Sequence, residues 1–224
     1  MLLIEKVSEE LGISRRRAQA LVQSGELPAE RLGSMWVVDP NDLAEYKLRR
    51  QAGRPVSPGV AWHLLFLLAG MESPRNDPMV AFRARQHLLG GSIIGKLRRS
   101  RRSIRHRWRI LPADVGELVG LGVATGVAAA DGGWFDVVAA ESVRSIYLDP
   151  NRLEGAIDRF YPLDDAARPN VEVLIPSDDW VLSGGERAPG AVVAADLLLD
   201  PDPRIRRAAE NHLNLLQAQW KDRS

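Results

Sequence analysis

The sequence predicts an α+β protein in two parts, residues 1–51 and residues 59–224, joined by a linker at 52–58. Three observations predict it. Apolar residues recur with the 3.6-residue period of a helix in some stretches and with the two-residue period of a strand in others. Ala52-Gly53-Arg54-Pro55-Val56-Ser57-Pro58 sets two prolines and a glycine within seven residues, a composition that sustains neither element. Charge also shifts along the chain under a net charge of +1: the first fifty residues are balanced, residues 51–109 carry twelve basic side chains against two acids, and residues 110–224 carry ten against nineteen.

In the first part, Leu2 and Ile4 open the chain, and Glu5 to Leu11 reads as a helix without a Ser or Thr cap. Gly12 suits a turn at positive φ, Ser14 suits a cap, and Ala18, Leu21 and Val22 lay an apolar stripe along a second short helix. Arg15, Arg16, Arg17 and Gln19 then fall in its first turns, mostly toward solvent, at the end of a helix that attracts phosphate. Arg31-Leu32 and Met35 to Val38 flank Gly33-Ser34 as a short hairpin, with Trp36 alternating inward. Asp39-Pro40-Asn41-Asp42 stops the strand and caps a closing helix from about Asp42 to Gln51.

At these residues a family comes into view. The run Glu9-Glu10-Leu11-Gly12-Ile13-Ser14-Arg15-Arg16, then Ser24-Gly25-Glu26-Leu27-Pro28-Ala29, then Arg31-Leu32-Gly33, Trp36 and Asp42-Leu43 resembles the excisionase branch of the MerR-like winged helix-turn-helix family. The resemblance implies that the second helix enters the major groove of double-stranded DNA and that the hairpin lies on the backbone as a wing. Carried over position by position, it implies Arg15, Arg16, Arg17 and Gln19 as groove contacts and Arg31 as a wing contact, with Ser14 and Ser34 beside them among the DNA-binding residues. The wing tip departs from the pattern: it reads Ser34-Met35 where such wings are basic.

Beyond the linker, Ser57-Pro58 caps a helix running to about Ala69 that is apolar nearly all round, so it belongs inside a second folded domain. Pro78 to Leu89 reads as a further helix, ending in a glycine cap and a flexible basic turn. Ile104 to Leu111 alternates apolar residues with Arg105, Arg107 and Arg109, predicting a strand with one basic and one packed face. Ala113 to Leu121 reads as a short helix, while Val123 to Ala130 suits strand or helix equally. Asp131-Gly132-Gly133 reads as a turn, Trp134 to Ala139 as a strand and Val143 to Leu148 as another. Asp149-Pro150-Asn151 caps a helix to about Tyr161, Val171 to Pro176 is the clearest strand, and helices follow at Pro189 to Leu199 and Pro203 to Trp220.

No catalytic constellation assembles from these residues. Gly90-Gly91-Ser92-Ile93-Ile94-Gly95-Lys96-Leu97 approaches a phosphate-loop pattern, yet Leu97 stands where a metal-holding hydroxyl is needed and a helix, not a strand, precedes it. The same glycine and serine lack the downstream carboxylate pair that nucleotidyl transfer requires. His63, His87, His106 and His212 lie far apart with no acid at ligand spacing, and Asp164-Asp165, Asp178-Asp179 and Asp200-Pro201-Asp202-Pro203 sit where capping explains them. The chain holds no cysteine, which excludes disulfides and thiolate chemistry and suits a reducing cytoplasm. Its longest apolar run, Val60 to Gly70, is too short for a membrane span. The expectation is a cytoplasmic protein with no enzyme activity, cofactor, metal or membrane partner.

The basic stretch containing Arg98, Arg99, Arg101, Arg102, Arg105 and Arg107 has three readings: a solvated face, added phosphate contacts, or a dock for an acidic protein. Trp108 to Leu118, Asn170 to Pro176 with Asp179-Trp180, and Ala191 to Leu197 with Asp202-Pro203-Arg204 are similar to actinobacterial AbiEi-type antitoxins. That resemblance implies a regulator that represses its own operon, with a second domain needed against a nucleotidyltransferase toxin. The protein partner, toxin or second copy, stays open, as does a regulator whose second domain senses a small molecule.

Overall fold

The computed structural model describes residues 1–50, 55–71, 77–130, 143–164, 168–183 and 185–223. In it β1 (Leu2–Leu3) leads directly into α1 (Ile4–Leu11), which the sequence starts one residue late, and Leu3 offers no side-chain cap. Gly12, at φ 62°, turns the chain by satisfying the carbonyls of Ser8 and Glu9. The hydroxyl of Ser14 accepts the Arg17 N–H at 3.2 Å and starts α2 (Arg15–Gln23). The hairpin is β2 (Glu30–Leu32) and β3 (Met35–Val38), turned at Gly33, φ 63°. β1 adds to its other side, giving the order β1-β3-β2, all antiparallel. α3 (Pro40–Arg49) begins two residues before the expected Asp42, because Asp39 caps it through the Asn41 N–H and Pro40 fits its first turn. Val7, Leu21, Leu27, Val38 and Leu43 bury together as the core of this unit.

Contacts divide the chain into two units, Met1–Ala52 and Gly53–Ser224. In the second, Ser57 caps α4 (Pro58–Leu68), Asp77 caps α5 (Pro78–Leu89), and Gly90 ends α5 in extended backbone rather than left-handed. The basic turn expected next is instead α6 (Ile94–Arg99). Ile93, Ile94 and Leu97 recur at helical spacing and bury in the core, and that burial outweighs the charge repulsion among Lys96, Arg98 and Arg99. β4 (Ser103–Arg109) follows, then a 3-10 turn at Pro112–Asp114 and α7 (Val115–Gly120). The undecided stretch resolves as β5 (Val123–Thr125) and a 3-10 turn at Val127–Ala129. The turn at 131–133 and strand at 134–139 lie outside the described residues. Next come β6 (Arg144–Tyr147), a 3-10 turn at Pro150–Arg152, α8 (Leu153–Phe160) and β7 (Leu163–Asp164), the last not expected. β8 (Val171–Pro176), a 3-10 turn at Asp179–Ser183, α9 (Gly190–Leu197) and α10 (Pro203–Arg223) complete the unit.

The sheet runs β5-β6-β8-β4-β7, with β6 and β8 parallel and the other neighbours antiparallel. Each face has its own core. Val123, Tyr147 and Leu174 pack under α4, α6, α9 and α10, whereas Trp108, Ile146, Val171 and Val173 pack against α7 and α8. No helix of the described residues is long and apolar enough to cross a membrane.

Candidate nucleic-acid interface

Ala18, Leu21 and Val22 hold α2 on the core of the first unit, which turns its remaining side chains outward. Ser14, Arg15, Arg16, Arg17 and Gln19 are all exposed. Their directions differ. At 100° per residue, Arg16, Ala20 and Gln23 lie on the line farthest from the core, with Gln19 beside it. Arg15 lies on the flank nearer α1, where its Nη2 meets Glu5 Oε1 at 2.9 Å. Both partners are exposed, so the pair is worth little and gives way to a phosphate at small cost. Gln23 escaped the sequence reading, although its spacing of seven from Arg16 was there to be used.

Arg31 and Ser34 are exposed on the hairpin, with Arg31 across from Trp36 in the ladder and its guanidinium 5.9 Å from the indole ring. That stacking points the cation along the hairpin instead of leaving it to sweep solvent. The tip itself is apolar: Leu32 and Met35 form the last cross-strand pair and are 64% and 51% exposed. Lys47 Nζ reaches Glu10 at 2.5 Å and Arg50 donates to the Leu11 carbonyl, so α3 clamps the C-terminal end of α1 and fixes the turn ahead of α2.

A capped, positively charged helix held outward by a three-helix core beside a two-stranded wing is the geometry on which the comparison with known families bears. Residues 1–51 match the family model described as a helix-turn-helix domain. Over these residues the first unit has the helix-turn-helix form. No curated protein and no solved structure matches the chain.

The arginines of the second unit are arranged differently from their reading as surface contacts. Arg102 is buried, its Nη2 3.0 Å from Asp196 Oδ1 and its guanidinium 5.4 Å from the Trp62 ring. Asp196 also accepts from Thr125 at 2.6 Å and from the Tyr147 hydroxyl at 2.8 Å. Burial first, then the Asp196 charge, pushes the Tyr147 phenol well above its usual range, so it stays a donor. Arg98 pairs with Glu210 of α10, and Arg105 and Arg107 share Glu172 at 3.2 and 3.7 Å. Arg105 and Arg107 of β4 thus lie against Glu172 of β8, and Arg102, just ahead of the strand, lies against Asp196 of α9. Arg98, Arg102, Arg105 and Arg107 therefore make ion pairs within the unit, an arrangement that the surface readings of this stretch did not include. Arg101 is exposed and Arg99 half-buried.

Helix α6 replaces the phosphate-loop geometry over the second half of Gly90–Leu97, and ahead of it the carbonyls of Gly90 and Gly91 accept from Lys221 and Gln217 of α10. Among the described residues, no group of three His, Asp or Glu converges to hold a metal ion. Burial lowers the pKa of His63, His87 and His212, with Arg85 and Lys96 adding to it at His63 and His87.

Proposed function

We propose that this protein is a cytoplasmic transcriptional regulator that reads double-stranded DNA through α2 and carries, in its second unit, a partner-binding domain without catalysis. The observation that carries the reading is the match of residues 1–51 to a helix-turn-helix domain, together with the outward line of Arg16, Gln19 and Gln23. Arg16 and the two glutamines supply base-edge hydrogen bonds, while Arg15, Arg17 and Arg31 supply phosphate contacts. One such motif spans few base pairs, so useful affinity calls for a second copy on a neighbouring half-site.

The concrete form of the proposal is an antitoxin that represses its own operon. Its support is the likeness of the second unit to AbiEi-type antitoxins at Trp108 to Leu118, Asn170 to Pro176 and Ala191 to Leu197. The first test is binding to DNA upstream of its own gene, against a scrambled fragment, over a salt series. Specific binding that an Arg15/Arg16/Arg17→Ala variant loses supports the regulator. Equal, weak binding to both fragments by wild type and variant overturns it. Rescue of growth when the neighbouring gene product is co-expressed supports the antitoxin form, and unrelieved toxicity overturns that form alone.

A further inference from the structure

Helix α5 has two apolar faces, and only one of them is spent on the core. Ala84 and Leu88 are fully buried and hold the helix on the second unit, against α4 and α10. At 100° per residue, Met79, Phe82, Gln86 and Leu89 fall on the line almost opposite. Met79 is 57% exposed, Phe82 58% and Leu89 57%, and Gln86 lies open between them. Their spacing of three, four and three is the seam of a helix that packs along another helix. A solvated helix face carries charged and polar side chains on that line, so three large apolar groups there serve a contact rather than the fold.

The seam is built before any partner arrives. Asp77 caps α5 by accepting the N–H groups of Met79 and Val80 at 3.0 and 3.2 Å, Pro78 fits the first turn, and the Gly90 N–H closes on the Gln86 carbonyl. A helix of 12 residues is about 18 Å long, and one fixed at both ends loses little order on binding.

We infer that α5 docks an amphipathic helix of a partner protein, one with an apolar seam and acidic residues along its edges. Arg83 and Arg85 stand about 80° to either side of the apolar line, both exposed, and neither is ion-paired among the described residues. These are the edge positions that touch a partner helix directly, where charge selects the partner. Residues 72–76, next to α5 in sequence, balance one acid, Glu72, with one base, Arg75. Gln86 argues against a lipid surface: an amide in the middle of the stripe loses its hydrogen bonds in hydrocarbon, whereas across a helix pair it meets a polar group. A second copy of α5 would crowd two arginines together on each side of the seam. A small molecule finds no enclosure on a convex helix. The docking site rests on the reading of the second unit as a partner-binding domain and not on the partner being a toxin.

The test pans a phage library of three-heptad helices on the full chain, with Leu, Ile or Met at the seam, one seam position open to Asn or Gln, and Glu, Gln or Lys varied along the edges. Glu-edged helices are expected to be enriched, and their synthetic versions to bind wild type and to lose about tenfold or more on Phe82→Asp. Tm is expected to hold in that variant, since the Phe82 ring is mostly exposed. Arg83→Glu/Arg85→Glu is expected to turn the preference to Lys-edged helices, an inversion that a merely structural role would not produce. No enrichment, Lys-edged helices on wild type, or equal binding to wild type and both variants overturns the assignment. So does dimerisation in sedimentation that Phe82→Asp abolishes, which gives the seam to a second copy, and so does flotation with phosphatidylglycerol vesicles that Phe82→Asp abolishes, which gives it to a membrane. Growth rescue and DNA binding retained beside failed panning remove the docking site and leave the proposed function standing.

Discussion

At the scale of single residues, two arginines that look alike in the sequence do opposite things. Arg16 projects from the outer line of α2, and Arg102 is sealed beneath α9. Arg16→Ala is expected to cost ~1–3 kcal/mol of specific DNA binding, read by gel shift, with no change in Tm. Asp196→Ala is expected to leave DNA contacts alone and destabilise the second unit by roughly 3–5 kcal/mol in urea titration, because it strands the buried Arg102 charge. A DNA effect from Asp196→Ala without loss of stability would contradict this division. Asp200 shows the other sign. Burial, with the Asp202 and Glu172 charges, raises its pKa, so the folded state holds its proton more tightly than the unfolded chain does. Stability contributed by protonated Asp200 is present below its ordinary carboxylate pKa and is lost as pH rises through the folded value. Asp200→Asn keeps an acceptor for the Asp202 N–H, now bound at 2.8 Å, and is expected to raise Tm at neutral pH.

At the scale of elements, the wing is the informative case. Leu32 and Met35 at its tip offer a phosphate no charge, so the hairpin leaves most of the electrostatic grip to α2. A Leu32→Lys/Met35→Lys variant is expected to bind DNA more tightly at low salt and to steepen the slope of log K against log salt by about two. An unchanged slope would place the wing away from the backbone. Elements were legible in the sequence wherever local chemistry decides them. Ser14, Ser57 and Asp149 announce helix starts that the structure bears out through their side-chain hydrogen bonds. β1 and β7 were not legible, because two residues carry no period and only a distant strand, β3 or β4, makes them strands. α6 was masked by its arginines, and the Glu210 that pairs with Arg98 lies more than a hundred residues away. The outward face of the first unit was readable from spacing alone except for Gln23.

At the scale of the whole molecule, the two units differ in how they answer to acid. All four histidines belong to the second. Burial holds His63, His87 and His212 below their ordinary pKa, so the unfolded chain binds protons that the folded one refuses. The stability they contribute is full above about pH 6.5 and is lost as pH falls toward their folded values. The second unit is therefore expected to melt at lower temperature between pH 7 and pH 5, while the first keeps its Tm. Trp36 is the sole tryptophan of the first unit, so fluorescence melting of a Trp36→Phe variant follows the second alone. A melting point independent of pH across that range would show that these rings are hydrated.

The two sheets also differ in the length of chain each must gather. Leu2 finds Val38 and Arg31 finds Trp36, whereas Arg105 waits for Leu174 and Trp62 for Ser177. Closing loops of seventy residues or more is slow, and the acids that quiet the inner arginines arrive last of all. On the ribosome the helix-turn-helix is complete while the basic stretch of the second unit still lacks its acids, so a chain broken off early would carry the first unit intact beside arginines with nothing to pair them. On the function proposed above, such a fragment would compete with the full protein for the same DNA and answer to none of its regulation.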